Sequence, residues 1–85
     1  MRLPLIKHIS KFIEKNDEDF VKETIEVLED LTEFDGLKDE ELDTLGELIS
    51  NMYGAIEVEK LALDGLSKKD AMNSFMKRVQ SSIDR

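Results

Sequence analysis

The stretch 37–65, LKDEELDTLGELISNMYGAIEVEKLALDG, decides the fold, because it is the longest uninterrupted helical pattern in the chain and the other segments are cut to pack around it. Apolar residues return at Leu42, Leu45, Ile49, Met52, Tyr53, Ile56 and Leu63, the three-and-four spacing that lines one face of an α-helix. A second line, Gly46, Ser50 and Gly54, runs beside that face at intervals of four. Each glycine inside a helix costs roughly 1 kcal/mol against alanine, so something is expected to approach the backbone closely there. Three occupants fit: a neighbouring helix of the same chain, a second copy packing spine to spine, or a ligand on the bared backbone. The crossing of a neighbouring helix is the plainest of these, and the second gains from geometry, because so long a helix, expected over 38–64 and about 39 Å in length, overhangs its neighbours and leaves Leu48, Ala55 and Leu61 short of cover that an isologous pairing would supply.

Outward from this spine, three shorter helices are expected. Pro4 suits a first helical turn, and Leu5, Ile6, Ile9, Phe12 and Ile13 follow at helical spacing, giving a helix over 4–15 with Lys7, His8 and Lys11 on its polar side. Asn16 is expected to cap the next helix, over 17–33, with Asp19 at the box position. Its apolar face is broad: Phe20, Val21, Thr24, Ile25, Val27, Leu28 and Leu31 are expected to be buried, and Gly36 to close the helix in the left-handed conformation. Ser67, with Asp70 three residues on, caps a last helix over 67–83 whose stripe is Met72, Phe75, Met76, Val79 and Ile83, ahead of a polar tail, Asp84-Arg85. Phe75 and Ile49 are expected to be buried against each other's helices. With no strand-like alternation, repeat or linker, the chain reads as one all-α domain, 1–85, a compact bundle of four helices packed antiparallel in sequence order around the long one.

Charge is distributed unevenly. Of 20 acidic residues, 15 lie in 14–47 beside only Lys15, Lys22 and Lys38, so that region carries −12 of a net −8 chain and the rest is positive. The outer side of the second helix gathers Glu23, Glu26, Asp30 and Glu33, with Glu29 beside them. That side reads either as a solvated surface or as a docking face for a basic protein partner. Nucleic acid is excluded as a partner by the sign of the largest charged region. No window is long and apolar enough for a membrane span, and MRLPLIKHI, broken by Lys7 and His8, does not read as a signal peptide. The lack of cysteine removes disulfides, thiolate zinc sites and thiol catalysis, and suits the cytoplasm.

Catalytic and cofactor signals are few. His8, the one histidine, has no second histidine or cysteine with which to hold zinc, and Leu5 stands where a di-iron Glu-x-x-His motif needs its glutamate. Aligning Gly36 on an EF-hand loop puts Leu31 and Leu42 at ligand positions. Acyl carrier proteins share the size and acidity but carry their arm on an Asp-Ser-Leu serine; here the order is Asp64-Gly65-Leu66-Ser67, and Ser67 has a capping role. Nuclease-immunity proteins rest on paired tyrosines, and this chain has Tyr53 alone.

The whole-chain combination of MRLPLIKHI, LKDEELDTLGELISNMYGAIEVEK and DGLSKKDAMNSFMKRV resembles a family of small bacterial proteins of unknown function. The resemblance implies a compact helical cytoplasmic protein and assigns no catalytic, cofactor or metal residue. The expected function is therefore that of a non-enzymatic acidic module that docks on another protein or on itself as a homodimer. The alternative is a small-molecule or acyl-chain carrier, motivated by Met52, Met72 and Met76 together with the backbone opened at Gly46 and Gly54.

Overall fold

The computed structural model describes residues 2–83, with side-chain surroundings through Val79; the polar tail at Asp84-Arg85 and the side chain of Ile83 lie outside what is described. Four helices follow one another: α1 (Leu3–Lys15), α2 (Asp19–Leu31), α3 (Asp39–Leu63) and α4 (Lys68–Ile83). The chain is all-α among the described residues, and α1, α2 and α4 each pack on α3.

The helix ends are set by local chemistry. Pro4 sits in the first turn of α1, where its missing N–H costs nothing. Asn16 does not cap α2 as expected; its amide donates back to the Phe12 carbonyl and closes α1, while the Asp17 carboxylate accepts the Asp19 N–H at 3.0 Å. The second helix is accordingly two residues shorter at each end than the sequence pattern suggests. Gly36 does not take the left-handed conformation either: α2 ends through tight turns, with Glu33 and Phe34 donating to the Asp30 and Leu31 carbonyls, and the Phe34 ring lies over Gly36. Lys38 N–H donates to the Glu41 carboxylate at 3.0 Å, which supplies half of a capping box without a capping side chain at position 38. Gly65, at φ 106°, closes α3, with Gly65 N–H on the Ala62 carbonyl and Leu66 N–H on that of Leu61, the paired bonds of a Schellman ending. Ser67 Oγ accepts the Asp70 N–H at 3.1 Å and caps α4 as expected.

The strand of contacts along α3 gives each helix its direction. Arg2 N–H bonds Asn51 at 2.8 Å, Ile6 meets Gly54, and Ser10 Oγ bonds Glu59 at 2.6 Å, so α1 runs parallel to the spine. On α2, Phe20 and Thr24 lie beside Met52 and Leu31 beside Leu45, and α4 is met at Glu59 by Lys68 and at Gly54 by Phe75, so α2 and α4 run against it. The expected antiparallel order therefore holds for α2–α3 and α3–α4 and, since α1 runs with the spine and α2 against it, for α1–α2, which meet through the edge-to-face pair Phe12–Phe20, ring centres 6.2 Å apart. The result is flat, 43 × 35 × 17 Å, with helices laid on one helix rather than closed around a shared axis.

The core consists of Ile6, Ile13, Val21, Ile25, Ala55, Ile56, Val58, Ala71, Met72 and Phe75, with Ile49, Met52 and Met76 partly buried against it. Full burial of each large side chain contributes about 1.5–3 kcal/mol. On α3 the buried residues are Asn51, Gly54, Ala55, Ile56 and Val58, all in its second half. Of these only Ile56 belongs to the apolar stripe and only Gly54 to the small-residue line, while Leu42 and Tyr53 of the stripe are exposed and Leu63 is nearly fully so. Ala55, expected to lack cover, is fully buried, because α1 and α4 converge on this part of the spine.

Candidate functional site

The first half of α3, from Asp39 to Ser50, holds no fully buried residue. Since α1 begins level with Asn51, it lies along the second half of α3 and not along this one. The second helix in turn buries only Val21 and Ile25 of the seven residues expected to be covered; Leu28 is half-buried and Thr24 exposed. Phe20, Val27 and Leu31 are 56%, 61% and 42% exposed, and Phe34 beyond them is 64% exposed. The cause is the flat architecture, in which α2 has a single strong neighbour and so a single line of contact.

At 100° per residue, Phe20, Thr24, Val27 and Leu31 fall within about 60° of one another around α2. Glu23, Glu26, Asp30 and Glu33, all exposed, occupy the next sector of about 80°. An apolar strip and an acidic strip thus lie side by side on the outer surface. Two hollows open along the apolar strip. One, of about 350 Å³, lies between α1 and α2 and is lined by His8, Phe12, Phe20, Thr24 and Met52. The other, of about 380 Å³, lies where α2 meets the start of α3, among Leu31, Leu37, Glu40, Glu41, Thr44 and Leu45. Leu45 and Met52 lie two turns apart on one side of α3, so the two hollows open on the same flank of the α2–α3 seam.

The far side of that seam is more polar, with Ile25 and Ile56 at its base. Lys22, Glu26, Glu29, Tyr53, Glu57 and Lys60 surround a third hollow, in which Tyr53 Oη donates to Glu29 at 3.1 Å. That hydrogen bond, with burial and the neighbouring carboxylates of Glu29 and Glu26, raises the tyrosine pKa above its ordinary value. Lys22 pairs with Glu18 one turn back at 3.2 Å.

The small residues of the spine separate. Gly54 is buried where a Cβ would stand 3.0 Å from Phe75 Cζ and 3.1 Å from Ile6 Cδ1, so two helices of the same chain close on it. Gly46 is exposed, and a Cβ there would meet nothing within 4 Å; Ser50 is half-buried. His8 is exposed at the rim of the α1–α2 hollow.

A polar cluster that no sequence motif marks joins α1, α3 and α4. Ser10, buried, donates to Glu59 and accepts from Lys68 Nζ at 2.7 Å; Lys68 also pairs with Glu59 and, at 2.7 Å, with Glu14. Burial alone would lower the Lys68 pKa, but its hydrogen bonds to Glu14 and Glu59 outweigh that and hold it above the ordinary lysine value. The hydrogen bond and charge of Lys68 hold Glu14 below the usual carboxylate range. Lys68 is thus a fixed ammonium that ties three helices together, the opposite of the lowered pKa a base beside a serine nucleophile requires. Among the described residues no group of three or more potential ligands could hold a metal ion, and no helix is long and apolar enough to cross a membrane.

Fold and surface together define a small, flat, all-helical protein with an apolar strip along an acidic edge. Residues 1–84 match a family of unknown function (DUF6952), and the chain belongs to that family. No curated protein and no solved structure matches it.

Proposed function

We propose that this protein is a non-enzymatic docking module, whose partner-binding surface is the apolar strip of α2 and the adjoining first half of α3, bordered by Glu23, Glu26, Asp30 and Glu33. The observation that carries the reading is the exposure of Phe20, Val27 and Leu31 in one line on a helix whose other apolar residues, Val21, Ile25 and Leu28, are buried or half-buried. Contiguous exposed apolar surface rimmed by charge is the mark of a protein contact. A strip of acids beside it would steer a partner of opposite charge into place. The buried polar cluster and the covered Gly54 support a scaffold role for the remainder of the molecule.

Native mass spectrometry of the protein purified from its own cells tests this. The parent should carry the added mass of a protein partner, or of a second copy, and a Phe20→Ser/Leu31→Ser variant should lose it while keeping its helical content. Chain mass alone in both proteins would contradict the docking reading. A small added mass retained by both would favour a carried small molecule instead.

A further inference from the structure

We infer that the two hollows on this flank of α2 form one trough that receives a single basic amphipathic helix from a different protein. This rests on the docking reading and adds the occupant. Length is the first argument: Phe20 and Leu31 mark the two hollows and stand 11 residues apart on α2, about 16 Å, or three helical turns. A helix lying along the seam would place one large apolar side chain in each hollow and smaller ones over Thr24 and Val27, the repeat of a helix seated in a groove. The walls and floor are helices, whose ridges accept another helix.

Charge selects the partner. Asp30 follows the trough along α2, and Glu40 and Glu41 line its far hollow. Lysines or arginines flanking the apolar stripe of the incoming helix would meet these carboxylates. A second copy of this chain is disfavoured by the same feature, because an isologous pairing through residues 14–47 would bring two regions of charge −12 together. Phosphate-bearing partners carry the wrong sign.

The probe is a synthetic peptide of about four turns, with Leu or Phe at helical intervals and Lys or Arg flanking them. It is compared with a peptide of the same composition in scrambled order and with one in which Glu replaces the basic residues. Each is titrated into the full isotope-labelled chain, with amide shifts and fluorescence anisotropy as readouts and sedimentation equilibrium reporting the protein's own mass. The basic amphipathic peptide should shift amides along Phe20–Leu31 and Leu45–Met52. Its affinity should fall roughly tenfold or more in Phe20→Ser/Leu31→Ser and weaken with salt in the parent. Equal binding of the scrambled peptide, or undiminished binding to the double variant, would overturn the trough while leaving acidic docking in place. A parent dimer broken by the double variant would overturn the choice of a different protein as partner. No shift with any basic peptide would overturn the inference, whereas the docking reading is decided separately by the mass of the assembly from cells.

Discussion

Gly46 and Gly54 look alike in the sequence and differ in what surrounds them. At Gly46 a Cβ meets open space, so Gly46→Ala should raise stability by about 0.5–1 kcal/mol through helix propensity alone, read from denaturant unfolding. At Gly54 the Phe75 ring and Ile6 already stand at contact distance. Gly54→Leu should therefore lower the melting temperature sharply, and light scattering should show no change in mass, because the close neighbours belong to the same chain. Tyr53 gives a second residue-scale test, as it is the only tyrosine in a chain without tryptophan. Its hydrogen bond to Glu29 delays ionisation, so phenolate absorbance should appear above the ordinary tyrosine value of 10.0, and Glu29→Gln should move the midpoint down. An unchanged midpoint would mean that the Tyr53–Glu29 bond does not persist in solution.

At the scale of elements, α1, α3 and α4 are joined by the Lys68 cluster, and α2 stands outside it. Lys68→Met leaves the Glu59 carboxylate with its Ser10 hydrogen bond but without its cation, and should cost about 1–3 kcal/mol in an unfolding titration. The pH dependence follows from the two shifts. Glu14, held below its ordinary 4.5, contributes stability that is present above that pH and is lost as pH falls through its lower folded value. Lys68, held above 10.5, contributes stability that is complete below that pH and is lost as pH rises through its higher folded value. The Met variant should flatten both flanks. On α2 the acids Glu26, Asp30 and Glu33 are exposed and include the repelling pair Glu26–Asp30 at four residues' spacing. Their joint change to glutamine should raise the melting temperature slightly at low salt, with the gain vanishing in high salt. A lower melting temperature would show these acids to be held by basic groups.

The four helices and the length of the spine were legible in apolar periodicity, and the α4 cap in Ser67 and Asp70. The buried side of the spine was not. Asn51, Gly54, Ala55 and Val58 form the face on which α1 and α4 close, and three of the four are small or polar, so periodicity pointed to the stripe of Leu42 and Leu63 instead. Nor could spacing reveal the Lys68 cluster, whose partners are 9 to 58 residues apart. The acidic strip was visible, but not the exposed apolar strip beside it, because Phe20, Val27 and Leu31 read as core until α2 is seen to have one neighbour.

For the whole molecule, the account divides α3 into a second half that carries all its buried residues, where α1 and α4 close on Gly54, and a first half with none, which offers part of the docking surface. Amide hydrogen exchange on the isolated chain tests that division most directly, since exchange from a covered segment requires global unfolding and exchange from an overhanging one requires only local opening. The slowest amides should lie in Asn51–Val58, with protection falling steadily through Ser50 toward Asp39. Uniform protection down to Asp39 in a protein of single-chain mass would contradict the account, because the first half of the spine would then be held as firmly as the core and would not be a surface left open for a partner.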